Sequence, residues 1–125
     1  MKNNTIKVLM LEPGNPARVA EIEASQEALE KTVQGAIQAI YPFEDPVCII
    51  CNDSGKTDHL PLCRILFGAN HEIQDIICGP AFICGFDDEK FVSLNAAQIE
   101  KYMSKFLQPE WLLSWDLECR KYHRS

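Results

Sequence analysis

Thr5-Ile6-Lys7-Val8-Leu9-Met10-Leu11 opens with polar and apolar residues alternating and closes with apolar residues alone. That pattern predicts a strand with a central place in a sheet. Pro13-Gly14-Asn15-Pro16 is a turn cluster. Arg18 to Ala24, with Val19 and Ile22 among polar residues, reads as the weaker return arm of a hairpin. Leu29, Val33, Ala36, Ile37 and Ile40 then recur at helical spacing. With Ser25 as N-cap and Pro42 as stop, they predict one helix ending at Tyr41. Glu27 and Lys31 stand four apart on its outer face, in the favourable order.

Val47 to Cys51 is apolar throughout and predicts a buried strand. Asn52-Asp53-Ser54-Gly55 follows as a tight turn, with Gly55 expected at positive φ and Lys56 to Leu60 as a short return arm. Pro61 is expected to open a brief helix over 62–66. Gly68-Ala69-Asn70-His71 is another turn, and 73–78 and 81–84 read as one bulged strand or two short ones, broken at Gly79-Pro80. Asn95 and Gln98 form a capping box, and Leu94 with Ile99 a hydrophobic staple. The helix they start buries Ile99, Tyr102, Met103 and Phe106. Pro109 is expected to start a last helix in which Trp111, Leu112 and Trp115 share one side.

The element order predicts an α+β fold with a mixed or mainly antiparallel sheet and helices packed on one face. Its 125 residues suit a single domain, assigned to 1–108. A C-terminal helical tail, 109–125, is expected to pack on that domain or on a partner.

Charge narrows the partners. The net charge is −6 with no basic stripe, which argues against duplex nucleic acid. No apolar run is long enough to span a membrane, and the N-terminus lacks a signal peptide's h-region and cleavage site. The expected location is the cytoplasm, where the six cysteines should be thiols. Cys48 and Cys51 spell C-x-x-C. In a strand, residues three apart point to opposite faces, so these two cannot grip one metal. No metal and no cofactor is expected.

The polar candidates are Asn52, Asp53, Lys56, Arg64 and Asp75. Asn52 and Asp53 are most simply turn formers. Arg64 could clamp a carboxylate or phosphate; the simpler expectation is a salt bridge to Asp75. Tyr41 and Phe43 are expected in the core, the alternative being an aromatic platform. No nucleophile, phosphate-loop or metal motif supports catalysis.

Several segments in order carry a family likeness: Lys7 to Gly14, Tyr41-Pro42-Phe43, Cys48 to Asn52, Gly55-Lys56, Leu60 to Arg64, Asp75 to Gly79, Phe82 to Gly85 and Phe91 to Leu94. Over residues 6–107 the chain resembles domain-of-unknown-function family 3846. These are small proteins of phages, plasmids and conjugative elements of Gram-positive and gut bacteria. Cys63 departs from the family's asparagine before the arginine. Pro80 departs from the threonine that usually follows the glycine. The resemblance implies a setting, accessory cargo of a mobile element, and no activity.

The leading expectation is a non-enzymatic accessory protein that binds a host or element-encoded protein, with a host defence or regulatory protein as the target. A small-molecule or nucleotide binder, using Arg64 and Lys56 on an anion, is the alternative. An enzyme of unknown reaction is third. A homodimer through Trp111, Leu112 and Trp115 is a further option.

Overall fold

The computed structural model describes residues 4–108. Ten elements follow one another: β1 (Thr5–Leu11), β2 (Arg18–Glu23), α1 (Gln26–Val33), β3 (Ile37–Ile40), β4 (Val47–Asn52), β5 (Leu62–Phe67), β6 (Ile73–Cys78), β7 (Ala81–Asp87), β8 (Lys90–Val92) and α2 (Ala96–Phe106). The expected α+β class is the observed one. The main sheet runs β2-β1-β7-β4-β3, with β8 on β7, and a separate hairpin pairs β5 with β6. All these pairings are antiparallel. The predicted central strand, β1, lies between β2 and β7.

Period-two alternation splits the core in two. Leu9, Leu11, Val47, Ile49, Cys51 and Ile83 point to one face, where Tyr102 and Phe106 of α2 and Cys63, Leu66 and Ile77 of the hairpin cover them. Ile6, Val8, Met10, Cys48, Ile50, Phe82 and Cys84 point to the other, beneath Leu29 and Val33 of α1. The expectation of helices on one face is therefore corrected: α1 and α2 take opposite faces. The continuous apolar run of β4, buried at every position, requires cover on both sides.

The predicted helix over 26–41 is half helix and half strand. Ser25 caps it, accepting from the Ala28 N–H at 3.1 Å. It stops at Val33, where Gln34 turns left-handed at φ 68°. Gly35 lets Asn52 approach, since a Cβ there would lie 2.7 Å from Asn52 Nδ2. Ile37 to Ile40 then pair with Asn52 to Ile49 as β3. On the helix surface Gln26 Nε2 donates to Glu30 Oε2 at 2.8 Å, whereas among the described residues Glu27 and Lys31 make no ion pair.

Three further expectations change. The left-handed glycines are Gly14 and Gly79, not Gly55. Gly55 is needed for close approach, because a Cβ there would stand 2.3 Å from the Cys78 carbonyl oxygen. Lys56 to Leu60 is a run of turns, with Asp58 N–H on Ser54 O and Leu60 N–H on Gly55 O, rather than a strand arm. The brief helix over 62–66 is strand β5, whose register shifts between Leu62 and Arg64 and again between Leu66 and Phe67. Those irregularities break period two and make Leu62, Ile65 and Leu66 mimic helical spacing.

Helix α2 begins as predicted. The Asn95 side chain accepts from Gln98 N–H at 2.8 Å, and the Gln98 side chain accepts from Asn95 N–H at 2.9 Å. Tyr102 and Phe106 are buried, with Ile99 and Met103 packed beside them. The Tyr102 hydroxyl and the Lys101 ammonium both donate to Asp45 Oδ2 at 2.6 Å, anchoring the helix to the loop before β4. Those donors hold the Asp45 carboxyl below its usual range, Lys101 first and Tyr102 second. No described helix is long and apolar enough to cross a membrane. The predicted last helix, with Trp111, Leu112 and Trp115, lies outside the described residues.

Candidate functional site

Two depressions flank the β5–β6 hairpin; Asn52, Asp53, Lys56 and Asp75 line the first and Phe43 the second, while Arg64 and Tyr41 line neither. The first is a polar cleft of about 220 Å³ where β3 and β4 face β6. Gln38, Cys51, Asn52, Asp53, Lys56, Asp75 and Cys78 line it. The turn after β4 delivers Lys56 across the cleft to Asp75, Nζ to Oδ1 at 2.6 Å. The Asp75 oxygen also accepts from the Ile76 N–H at 2.8 Å. The Lys56–Asp75 hydrogen bond is the main reason the Lys56 pKa is raised.

Both cleft thiols are held in the protonated form. Burial, then the Asp75 charge, pushes Cys51 up to about 11. Burial also raises Cys78. A thiol in this state is a poor nucleophile at neutral pH. Cys51 donates weakly to the Gln38 carbonyl at 3.8 Å. The cleft thus offers hydrogen bonds and one paired cation.

Lys56 and Asp75 are 59% and 38% exposed, so solvent screens their attraction. Lys56→Met is expected to cost less than about 1 kcal/mol. A urea midpoint close to wild type would bear this out, and a loss of several kcal/mol would mean that the pair locks the hairpin to the sheet.

Asn52 fulfils its turn role, since its Oδ1 accepts from Ser54 N–H at 2.7 Å. Its amide also donates to the carbonyls of Val33 and Gln34, at 3.0 and 3.1 Å, closing the end of α1. Arg64 is fully buried, as a structural residue would be, but the expected salt bridge to Asp75 is not made. Asp75 pairs with Lys56. The Arg64 guanidinium turns to main-chain oxygens instead: Phe106 at 2.9 Å, Cys63 at 2.8 Å, Asn15 at 2.9 Å and Glu12 at 3.3 Å. Arg64 and Lys56 do not converge on one pocket.

Cys48 and Cys51 point to opposite faces, as their spacing predicts. Cys48 instead meets Cys84 across the β4–β7 pair, sulfur to sulfur at 3.8 Å, where the hydrogen bond between them, and then burial, raise the Cys84 pKa. Cys63 donates to the Leu11 carbonyl at 3.2 Å, and burial holds its pKa up near 12. Among the described residues no group of three or more His, Cys, Asp or Glu could hold a metal.

The second depression is an apolar groove of about 330 Å³ between the hairpin tip and the last turn of α2. Phe43, Ile65, Leu66 and Phe106 line it, with Phe67, His71, Gln74 and Lys105 around them. Phe43 lies 4.7 Å from the Tyr102 ring and 6.0 Å from that of Phe106, which makes it a core residue. Tyr41 separates from it: it is 53% exposed and meets Phe86 edge-on at 5.2 Å. Phe67 and Ile73 are cross-strand partners at the hairpin tip, each 40% exposed.

The sequence reading did not single out Phe67, Ile73 or Lys105. Once 62–66 is taken as a helix, Phe67 and Ile73 cannot be seen as facing strand residues. The available signal was the turn Gly68 to His71 flanked by two large apolar residues.

The model of the family described as "Domain of unknown function (DUF3846)" matches residues 6–107 of the chain. No curated protein and no solved structure matches it.

Proposed function

The chain belongs to the family described as domain of unknown function (DUF3846), and from that premise we propose that it is a non-enzymatic binding protein of a mobile genetic element. It acts in the cytoplasm on a host protein, a defence or regulatory protein by the setting the family resemblance implies. The binding surface is the groove between the hairpin tip and α2.

The observation that carries this reading is the exposed Phe67–Ile73 pair beside an apolar groove. Leaving 40% of each side chain in water forgoes about 1 kcal/mol of burial per residue. An apolar patch with a polar rim marks an interaction surface. Lys105 stands at that rim and forms no ion pair with a described residue, so the groove suits an apolar segment that carries a carboxylate.

The alternative, an anion or nucleotide binder, rests on the polar cleft. It is disfavoured because the Lys56 charge is met by Asp75 and the Arg64 guanidinium is directed to main-chain oxygens elsewhere.

Native mass spectrometry of the tagged chain purified from its host tests the two readings. The expected result is one host protein at fixed stoichiometry, which rebinds after separate purification. A retained phosphate or nucleotide with no protein would support the alternative and overturn this proposal.

A further inference from the structure

The groove lies where the described chain leaves the domain. Lys105 and Phe106, in the last turn of α2, line it. Leu107 follows, fixed by its carbonyl to the Ala17 N–H at 2.8 Å. Residues 109–125 come next, and they hold both tryptophans of the chain, Trp111 and Trp115, with Leu112 beside them.

We propose that in the free protein the segment 109–125 folds back into this groove and lays its tryptophans against Phe67 and Ile73. Reach is sufficient, because Trp111 is five residues beyond Phe106 and five extended residues span up to about 17 Å. Chemistry matches as well. An indole buries roughly 150–250 Å² of surface, and the groove with its exposed pair offers an apolar surface to receive it. Glu110 opens the segment with a carboxylate next to the lysine at the rim. A segment this short gains little from helix formation alone, so burial must supply its order. The same groove then has an internal occupant that a partner's apolar segment must displace. The inference stands on the groove and the segment, and its test needs no partner, so its failure is separable from failure of the proposed function.

Trp111 and Trp115 are the only tryptophans, so intrinsic fluorescence reports on this segment alone. The full chain is expected to emit at shorter wavelength than its urea-denatured form and to resist acrylamide quenching several-fold better. Dilution by about 100-fold should leave both unchanged, since an intramolecular contact is independent of concentration. Phe67→Asp and Ile73→Asp, both at exposed positions, should each restore solvent-like emission and quenching while the far-ultraviolet circular dichroism and the cooperative melt persist. Val19→Asp, on the exposed edge strand β2, should change nothing. Solvent-like emission from the wild type would overturn the proposal. So would shielding that survives both groove variants, shielding lost on dilution, or an equal response to Val19→Asp.

Discussion

Arg64→Ala should lose about 3–5 kcal/mol of folding stability, the largest effect of any single substitution considered. Arg64 is fully buried, and among the described residues its guanidinium serves three separated pieces of chain. It donates to Glu12 and Asn15 in the turn between β1 and β2, to Cys63 in its own strand, and to Phe106 at the end of α2. A hydrogen bond to a charged group contributes about 1.5–3 kcal/mol net. Water entering the vacated space would recover part of that, which sets the total below the sum. The contact with Phe106 adds a favourable cation at the negative end of the helix dipole. Arg64→Lys should not rescue, because an ammonium lacks the planar fork that reaches all these acceptors. Urea unfolding should show a lower midpoint at unchanged slope. A loss under about 1 kcal/mol would mean that the carbonyls are satisfied without it.

Asn52→Ala should cost about 2–3 kcal/mol, and Asn52→Asp at least as much at neutral pH despite its matching shape. The amide gives both its protons to the last carbonyls of α1, and its oxygen receives the Ser54 N–H. A carboxylate would set negative charge against two carbonyl oxygens. That disfavours the charged form, so the folded pKa of the new group would rise above its unfolded value of about 3.9. The sign follows from linkage. The deficit of Asn52→Asp against wild type is smallest below the unfolded value and grows as pH rises toward the folded one. Urea midpoints of wild type and variant at pH 4 and pH 7 would show the gap widening at the higher pH. A constant gap would mean that the Asn52 side chain is solvated and does not close the helix.

These two residues show why the elements were more legible than their connections. The strand β1, the capping box of α2 and the opposed faces of Cys48 and Cys51 follow from local spacing, which a sequence displays directly. The end of α1 does not. Leu29 to Ile40 is periodic enough for one helix, and what cuts it is Asn52, 18 residues after Gln34, entering beside Gly35. Likewise Arg64 was legible as a partly buried structural residue, but its hydrogen bonds to described residues include main-chain oxygens up to 52 positions away in sequence, and no side-chain pattern records a carbonyl.

The polar cleft was half readable. Lys56, Asn52, Asp53 and Asp75 do gather there, and the turn after β4 was predicted. The apolar groove was not, because it depends on β5 being a bulged strand, and bulges erase the period that identifies strands.

The central claim is that the apolar groove, rather than the polar cleft, is the working surface. One measurement addresses it: the dissociation constant between the purified chain and the host protein it retains, compared for wild type, Phe67→Asp and Lys56→Met. Phe67→Asp is expected to weaken binding by at least about 10-fold, since the loss of a buried aromatic anchor costs more than 1.4 kcal/mol. Lys56→Met should remain within about twofold, as a screened, half-exposed ion pair contributes little. Loss of binding in Lys56→Met with full affinity in Phe67→Asp would place function in the cleft and contradict the account.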